Sequence, residues 1–123
     1  SDDSVSRCIE SLLGGEQRLD VLVNNAGVGL CGSVEDTGLD EVRWQMETNF
    51  FGAVRMIRAV LPQMRAQRSG RLITISSLGG LVGMPYQPFY SASKFALEGL
   101  PPGGSFEVQL SDGVEVRVFT FPR

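Results

Sequence analysis

Tyr90 and Lys94 lie four residues apart in the segment 90–96, which reads Tyr-Ser-Ala-Ser-Lys-Phe-Ala and suits a helix. Residues four apart in an α-helix lie on the same face, with Cβ atoms about 5–6 Å apart. An ammonium group beside a phenol favours the ionised phenol, so this pair could exchange a proton with an alcohol or a ketone near neutral pH. Taken alone, the spacing is also typical of a surface lysine that packs its stem on an aromatic ring.

Ser77 follows a predicted buried strand, residues 71–76. The stretch from Leu72 to Ile75 is apolar and rich in β-branched residues, and the chain then runs through Ser-Ser into Gly79-Gly80. Ligands of open parallel sheets bind outside the carboxyl ends of the strands, so a hydroxyl at this point is well placed for a site. Alternatively, Ser77 is a loop residue that satisfies local backbone groups.

A second strand, residues 19–24, ends in the run Asn24-Asn25-Ala26-Gly27. Small residues after a strand let a flat ligand approach the backbone, and asparagine amides can bond both strand edges and ligands. Taken singly, the run could also be an ordinary turn, because asparagine and glycine are common in turns.

Asn49 belongs to a long predicted helix, residues 40–66. The apolar positions of this helix form a stripe with helical spacing: Val42, Met46, Phe50, Ala53, Ile57, Val60 and Leu61. Asn49 is three residues after Met46 and four before Ala53, so its amide is predicted at the edge of the buried stripe. Because buried polar groups need partners, Asn49 either bonds the backbone of a neighbouring helix or holds a water chain for a site.

Together, these residues resemble the short-chain dehydrogenase/reductase family. Asn24–Gly27 match its Asn-Asn-Ala-Gly motif. Its Asn-Ser-Tyr-Lys tetrad is matched in order, spacing and predicted context by Asn49, Ser77, Tyr90 and Lys94. The resemblance covers about residues 1–100 closely and 113–120 loosely. Within the family, the chain is most similar to the branch of retinol dehydrogenases and estradiol 17-beta-dehydrogenases.

The resemblance implies a role for each member of the tetrad. Tyr90 would give a proton to the carbonyl oxygen in reduction, or take one in oxidation. Lys94 would support ionisation of Tyr90 and bond the nicotinamide ribose. Ser77 would hold and polarise the substrate oxygen. Asn49 would anchor a water that links Lys94 to solvent as a proton relay.

The resemblance further implies a nicotinamide cofactor, NAD or NADP, and a small lipophilic substrate such as a retinoid or a steroid. The expected cofactor-binding residues are Asn25, Ala26, Gly27, Tyr90 and Lys94. The expected substrate-binding residues are Ser77, Leu78, Val82 and Met84. A full-length member would form a homodimer, and segments outside this chain could add peripheral membrane association. No metal site is predicted.

The 123 residues suffice for one domain of ordinary core size, predicted as a partial dinucleotide-binding and catalytic domain over residues 1–123. A doubly wound nucleotide fold begins with a strand and a Gly-rich turn that opens a helix, where the pyrophosphate binds. No Gly-rich turn of that spacing follows a strand here. We therefore expect a fragment that is truncated at both ends.

Pro101-Pro102-Gly103-Gly104 interrupt the segment that carries Tyr90 and Lys94. An interior proline costs a helix about 3 kcal/mol and a glycine about 1, so the helix is predicted to stop near Gly99 or Leu100. Residues 105–112 are expected to form a short extra turn, and residues 114–120 the next strand.

The amino-acid composition limits which classes of function are compatible with the chain. The net charge is −3 and the pI about 4.9, with no basic cluster, which argues against nucleic-acid binding. The chain has no histidine, the commonest alternative acid/base. Its two cysteines are expected to be reduced and the protein cytoplasmic. The larger side chains on the long helix are expected in the core: Trp44, Phe50, Phe51, Met56 and Met64.

The predicted fold class is α/β, a partial doubly wound parallel sheet of about three strands that lacks the N-terminal Gly-rich βαβ unit. The predicted function is NAD(P)-dependent interconversion of an alcohol and a ketone or aldehyde on a lipophilic substrate. The alternative is a catalytically inactive fragment that acts by association with a partner.

Overall fold

A computed structural model describes residues 2–16, 18–100, 105–111 and 114–121. Its helices are α1 (Asp2–Glu16), α2 (Leu39–Met46), α3 (Gly52–Gln67) and α4 (Pro88–Glu98). Its strands are β1 (Val21–Asn24), β2 (Gly70–Ile75), β3 (Ser105–Ser111) and β4 (Val114–Phe121). A π-helical turn (Glu47–Phe51) joins α2 to α3, and a short 3₁₀ turn (Leu78–Gly80) follows β2. The long helix, the two strands that flank it and the helix from residue 88 are therefore confirmed.

The long helix begins after Gly38, whose N–H donates to the Glu41 carboxylate over 2.9 Å. Acidic residues in a first turn also interact favourably with the helix dipole. In the middle of the helix, the N–H of Gly52 donates to the carbonyl of Glu47, five residues back, which defines the π turn. The helix ends at Arg68, which adopts a left-handed conformation with φ 52°.

The sheet has the strand order β1-β2-β4-β3. β1 and β2 are parallel, with Val23 opposite Ile73, as expected of a doubly wound fold. β4 pairs antiparallel with β2, and β3 antiparallel with β4. The sheet therefore has four strands in the described residues and only its β1–β2 half is parallel. The α/β class is confirmed, but the strand count is not.

The extra turn predicted at 105–112 is wrong, because Ser105–Ser111 form β3. The segment alternates apolar and polar residues with the period of a strand: Phe106, Val108 and Leu110 against Ser105, Glu107, Gln109 and Ser111. An antiparallel neighbour two residues further along the chain then supplies its hydrogen-bond partners. The interruption predicted at 101–104 lies outside the described residues.

The hydrophobic core lies where α1 and α3 pack on β2. Its buried members are Ile9, Ile57, Val60, Met64 and Leu72. At the start of β2, the backbone comes very close to α3: a Cβ on Gly70 would lie 2.5 Å from Sδ of Met64.

Two of the expected core residues are not buried. Trp44 is 52 % exposed and Phe51 is also exposed, because their side chains fall on the outer side of the long helix. Of the other three, Met64 is fully buried, whereas Phe50 and Met56 are half-buried. Among the described residues, no helix combines the length and apolar character needed to cross a membrane.

Candidate active site

The carboxyl ends of β1 and β2 lie side by side because the two strands are parallel. The Asn24–Gly27 run leaves one of them and Ser77 follows the other. Helix α4 is fixed to this edge by Lys94, whose ammonium donates to the Ile75 carbonyl over 3.0 Å. The structure thus brings the predicted motifs to one edge of the sheet.

Tyr90 and Lys94 share a face of α4, with Nζ of Lys94 5.7 Å from the centroid of the Tyr90 ring. Lys94 is only 6 % exposed, so it is not a surface lysine with its charge in water. Burial lowers the pKa of the Lys94 ammonium below its ordinary value, and the carboxylate of Glu98, one turn further along α4, partly opposes this shift. The pair therefore combines a phenol with a buried, positioned cation.

Asn49 is 1 % exposed, deeper than the predicted edge of the stripe. Its Oδ1 accepts the N–H of Val28 over 2.7 Å, and its Nδ2 donates to the Val28 carbonyl over 2.8 Å. The same Nδ2 donates to Oγ of Ser93 over 2.9 Å, and that hydroxyl donates to the Tyr90 carbonyl over 2.7 Å. The backbone partner of Asn49 is thus the loop after β1, and its further partner is a side chain of α4.

These three bonds use both amide hydrogens of Asn49 and one lone pair of its oxygen. Only one acceptor site of the side chain is left for a water. The amide of Asn49 therefore joins three parts of the site: the loop after β1, the long helix and α4. The π turn that contains Asn49 is of a kind that often occurs at functional sites.

Ser77 has an extended backbone, and its Oγ accepts the N–H of Gly79 over 3.1 Å. The hydroxyl thus satisfies a local backbone group, as expected of an ordinary loop serine, and its hydrogen is still available as a donor. The turn that follows packs against Tyr90: a Cβ on Gly79 would lie 3.3 Å from Cε1 of the ring. A larger residue at position 79 would push the loop away from the phenol.

Asn25, Ala26 and Gly27 are exposed beside this pair. A Cβ on Gly27 would lie 3.5 Å from Oδ1 of Asn49 and 3.7 Å from Nζ of Lys94. A Cβ on Gly29 would similarly lie 3.8 Å from Cδ2 of the Tyr90 ring. The backbone around Val28 therefore runs along both side chains of the pair.

This arrangement fits the nicotinamide end of a dinucleotide. The exposed small residues after β1 lie beside three possible hydrogen-bond donors, the hydroxyls of Ser77 and Tyr90 and the ammonium of Lys94. The pyrophosphate end has no counterpart, because the sequence contains no Gly-rich turn between a strand and a helix.

Leu78 and Val82 are exposed in the loop after Ser77, and Met84 is half-buried. The N–H of Met84 donates to Oγ of Ser91 over 3.0 Å, which fixes this loop to α4. The structure thus places the three predicted apolar substrate residues in the segment that follows Ser77.

Sequence reasoning missed Tyr86 in the same loop. Tyr86 is 77 % exposed and has φ 56°, in the left-handed region that a bulky residue rarely adopts. Its carbonyl accepts the N–H of Gly32 over 2.8 Å, which ties the two loops of the site together. The Met-Pro-Tyr-Gln run could have indicated it, since proline at the second position of a turn often precedes a residue with positive φ.

Gln45 and Ser93 were also missed, although both are fully buried polar residues. The available signal was spacing: Gln45 lies one turn before Asn49, and Ser93 one residue before Lys94. Cys8 and Cys31 are free thiols, as expected. Among the residues that the structure describes, no group of three or more acidic, cysteine or histidine side chains could hold a metal ion.

Comparison with known proteins supports the family resemblance found in the sequence. The family model described as short chain dehydrogenase matches residues 1–121. The 3-ketodihydrosphingosine reductase of Bacteroides thetaiotaomicron is 52% identical over 105 residues, which are 85% of this chain and 39% of that protein. Retinol dehydrogenase 8 of Bos taurus is 50% identical over 99 residues, 80% of this chain and 31% of that protein. Human 17-beta-hydroxysteroid dehydrogenase type 1 is 52% identical over 85 residues, 69% of this chain and 26% of that protein.

Solved structures agree with the fold. The structure of ElxO with NADP bound has a TM-score of 0.78 and 33% identity, and the match covers 80% of this chain and 40% of that one. The structure of NAD⁺-bound xylitol dehydrogenase has a TM-score of 0.77 and 31% identity, covering 80% and 38%. The chain therefore spans 40% or less of the length of each of these relatives and structures.

Proposed function

Because the chain belongs to the short-chain dehydrogenase family, we propose that the full-length protein interconverts an alcohol and a ketone or aldehyde with NAD(H) or NADP(H). Residues 1–123 are then part of its dinucleotide-binding and catalytic domain. The observation that carries the proposal is the Tyr90–Lys94 pair on one face of α4, with its buried ammonium 3.0 Å from the Ile75 carbonyl. A phenol beside a fixed cation is suited to proton exchange with a substrate oxygen.

When bound, a nicotinamide cofactor would supply or accept the hydride at the substrate carbon. In reduction, the Tyr90 hydroxyl gives its proton to the carbonyl oxygen; in oxidation, the phenolate takes the proton of the alcohol. Ser77 uses its available hydroxyl hydrogen to hold and polarise the substrate oxygen. Lys94 stabilises the phenolate and offers its other N–H groups to the nicotinamide ribose.

Two further elements complete the proposed site. Asn25, Ala26 and Gly27 line the cofactor with exposed backbone next to Lys94. Asn49 fixes this backbone through Val28, and its remaining lone pair anchors the water of the proton relay. The proposed cofactor is NAD or NADP: ElxO was solved with NADP bound and xylitol dehydrogenase with NAD⁺ bound.

The proposed substrate is a small lipophilic molecule, such as a retinoid or a steroid. The exposed apolar side chains of Leu78 and Val82 after Ser77 support this, because apolar surface beside a polar anchor is how sites hold apolar ligands. The three relatives support it too, since they are named for 3-ketodihydrosphingosine, retinol and a 17-beta-hydroxysteroid.

The proposed partner of the full-length protein is a second copy of itself. Trp44 and Phe51 are exposed on the long helix, and with Val42 and Met46 they line a mainly apolar groove of about 450 Å³. Exposed apolar surface of this kind often marks an interface. Sedimentation of the wild type and of Trp44→Lys, a change that charges the groove, tests the proposal.

A second candidate is an inactive chain that acts by association. It is favoured by the missing Gly-rich turn and by β1, which lies at an edge of the described sheet with Val21 and Val23 exposed. Unpaired edges with exposed apolar side chains recruit other chains. This candidate is correct if the 123-residue chain shows no turnover with either cofactor and lipophilic carbonyls, yet binds another chain through β1.

Tyr90→Phe in the full-length protein tests the enzymatic proposal. Turnover should fall by about 10²–10⁴-fold, the range for a lost acid/base, while cofactor affinity changes much less. The chain has one other tyrosine, so Tyr86→Phe is the matched control and should keep turnover close to wild type. Near wild-type turnover in Tyr90→Phe would remove this residue from the mechanism.

A further inference from the structure

Gln45 is a fully buried polar side chain to which the proposed reaction assigns no role. Its Nε2 donates to the carbonyl of Val28 over 3.1 Å. Its Oε1 is also buried, and among the described residues it has no hydrogen-bond partner. A buried acceptor without a hydrogen-bond partner destabilises the fold, so core packing does not explain a glutamine at this position.

Val28 is held from two successive turns of the long helix. Asn49 accepts the N–H of Val28 over 2.7 Å and donates to its carbonyl over 2.8 Å. Gln45, one turn earlier, donates to the same carbonyl. A carbonyl has two lone pairs, so both donors can be satisfied at once. Two amides from one helix thus hold a single loop residue.

The neighbours of Val28 are the residues that face the pair on α4. Gly27 lies against the ammonium of Lys94 and Gly29 against the ring of Tyr90, at less than 4 Å from an added Cβ in both cases. Any movement of Val28 therefore changes how closely the loop covers both side chains.

From this geometry we propose that Gln45 is a positioning residue for the site. It acts through the Val28 carbonyl and keeps the backbone of Gly27 and Gly29 against Lys94 and Tyr90. It does not touch the reacting atoms. The proposal extends the proposed function, and its effect on cofactor binding rests on that function.

Gln45→Met separates positioning from packing. Methionine has a similar length and volume but no donor, and it also removes the unpaired buried acceptor, so global stability should change little. The Val28 carbonyl keeps its bond from Asn49. Gln63→Met is the matched control: the same change on the same long helix, where the amide of Gln63 donates to Gln67 away from the site.

Hydrogen exchange of the full-length protein, followed at single amides, is the first measurement. In Gln45→Met, the amide of Val28, which donates to Asn49, should exchange about tenfold faster. The amides of α3 and β2 should keep their wild-type rates, and the melting temperature should stay within a few degrees. Gln63→Met should leave the exchange of the Val28 amide unchanged. Unchanged exchange of the Val28 amide in Gln45→Met overturns the proposal.

The second measurement is the dissociation constant of NADH and NADPH. It should rise by about tenfold in Gln45→Met, while the KM of the carbonyl substrate at saturating cofactor stays the same. If the wild type binds neither cofactor, the proposed function fails, and the exchange data still decide the role of Gln45. Uniformly faster exchange, or loss of folding in both Gln45→Met and Gln45→Leu, would make Gln45 a core residue and overturn positioning.

Discussion

Asn49 is only 1 % exposed, and its replacement by leucine removes three hydrogen bonds. The Val28 carbonyl keeps its bond from Gln45, and the Ser93 hydroxyl keeps its bond to the Tyr90 carbonyl. Only the Val28 N–H is left without an acceptor. With about 0.5–1.5 kcal/mol for each of the two bonds lost by Nδ2 and about 1–3 kcal/mol for the orphaned Val28 N–H, Asn49→Leu should cost about 2–6 kcal/mol.

Urea unfolding measures this cost, with the single tryptophan, Trp44, as the fluorescent reporter five residues away on the same helix. The midpoint should fall while the slope of the transition stays the same, because the surface exposed on unfolding is unchanged. Thr48→Val is the control: its hydroxyl donates within the helix, to the Trp44 carbonyl, and its loss should cost less than about 0.5 kcal/mol. If Asn49→Leu unfolds at the wild-type midpoint, water replaces the lost bonds and the reasoning fails.

Three other outcomes are expected. Because burial lowers the pKa of Lys94, its charge opposes folding in full below the lowered value and not at all above the ordinary 10.5. The stability of the wild type relative to Lys94→Met should therefore rise as the pH increases from the lowered pKa to 10.5. A difference in denaturation midpoints that does not change with pH would contradict this. Gly70→Ala places a methyl 2.5 Å from Sδ of Met64 and should cost about 1–3 kcal/mol by thermal unfolding, less than additively with Met64→Ala. The isolated 123-residue chain should bind NAD(H) or NADP(H) too weakly for titration calorimetry at micromolar concentration, because its sequence has no Gly-rich turn for the pyrophosphate.

Local periodicity in the sequence was enough to place Tyr90 and Lys94 on one face of a helix and Ser77 just after a strand. These features depend on residues close together in the chain. The burial of Lys94 could not be predicted in the same way, because it depends on the end of β2, 19 residues earlier. The link between Asn49 and Ser93 spans 44 residues, and nothing in the spacing of either motif indicates it.

Asn49 and Phe51 show where two different arguments fail. The stripe with regular helical spacing placed Asn49 at an edge, and residue type alone placed Phe51 in the core, whereas in the π turn Asn49 is buried and Phe51 is exposed. The strand predicted at 114–120 is present as β4, but its predicted parallel direction was wrong, for a different reason. Alternating side chains identify a strand but not its direction, so β4 could equally have been parallel or antiparallel to β2 until β3 was paired with it.

The π turn also sets how the long helix can change its length. Each residue of a regular α-helix turns the side chain by about 100°, and a π turn takes up one residue without continuing that rotation. α2 contacts α4, whereas α3 contacts α1 and the sheet, so the two halves face different partners. Deleting one residue of this turn, such as Thr48, would therefore restore a regular helix and leave both halves facing their present partners. A deletion elsewhere in the long helix would turn one half by about 100° away from its partner. When homologous chains are aligned, we therefore expect a one-residue gap within this helix only at Glu47–Phe51.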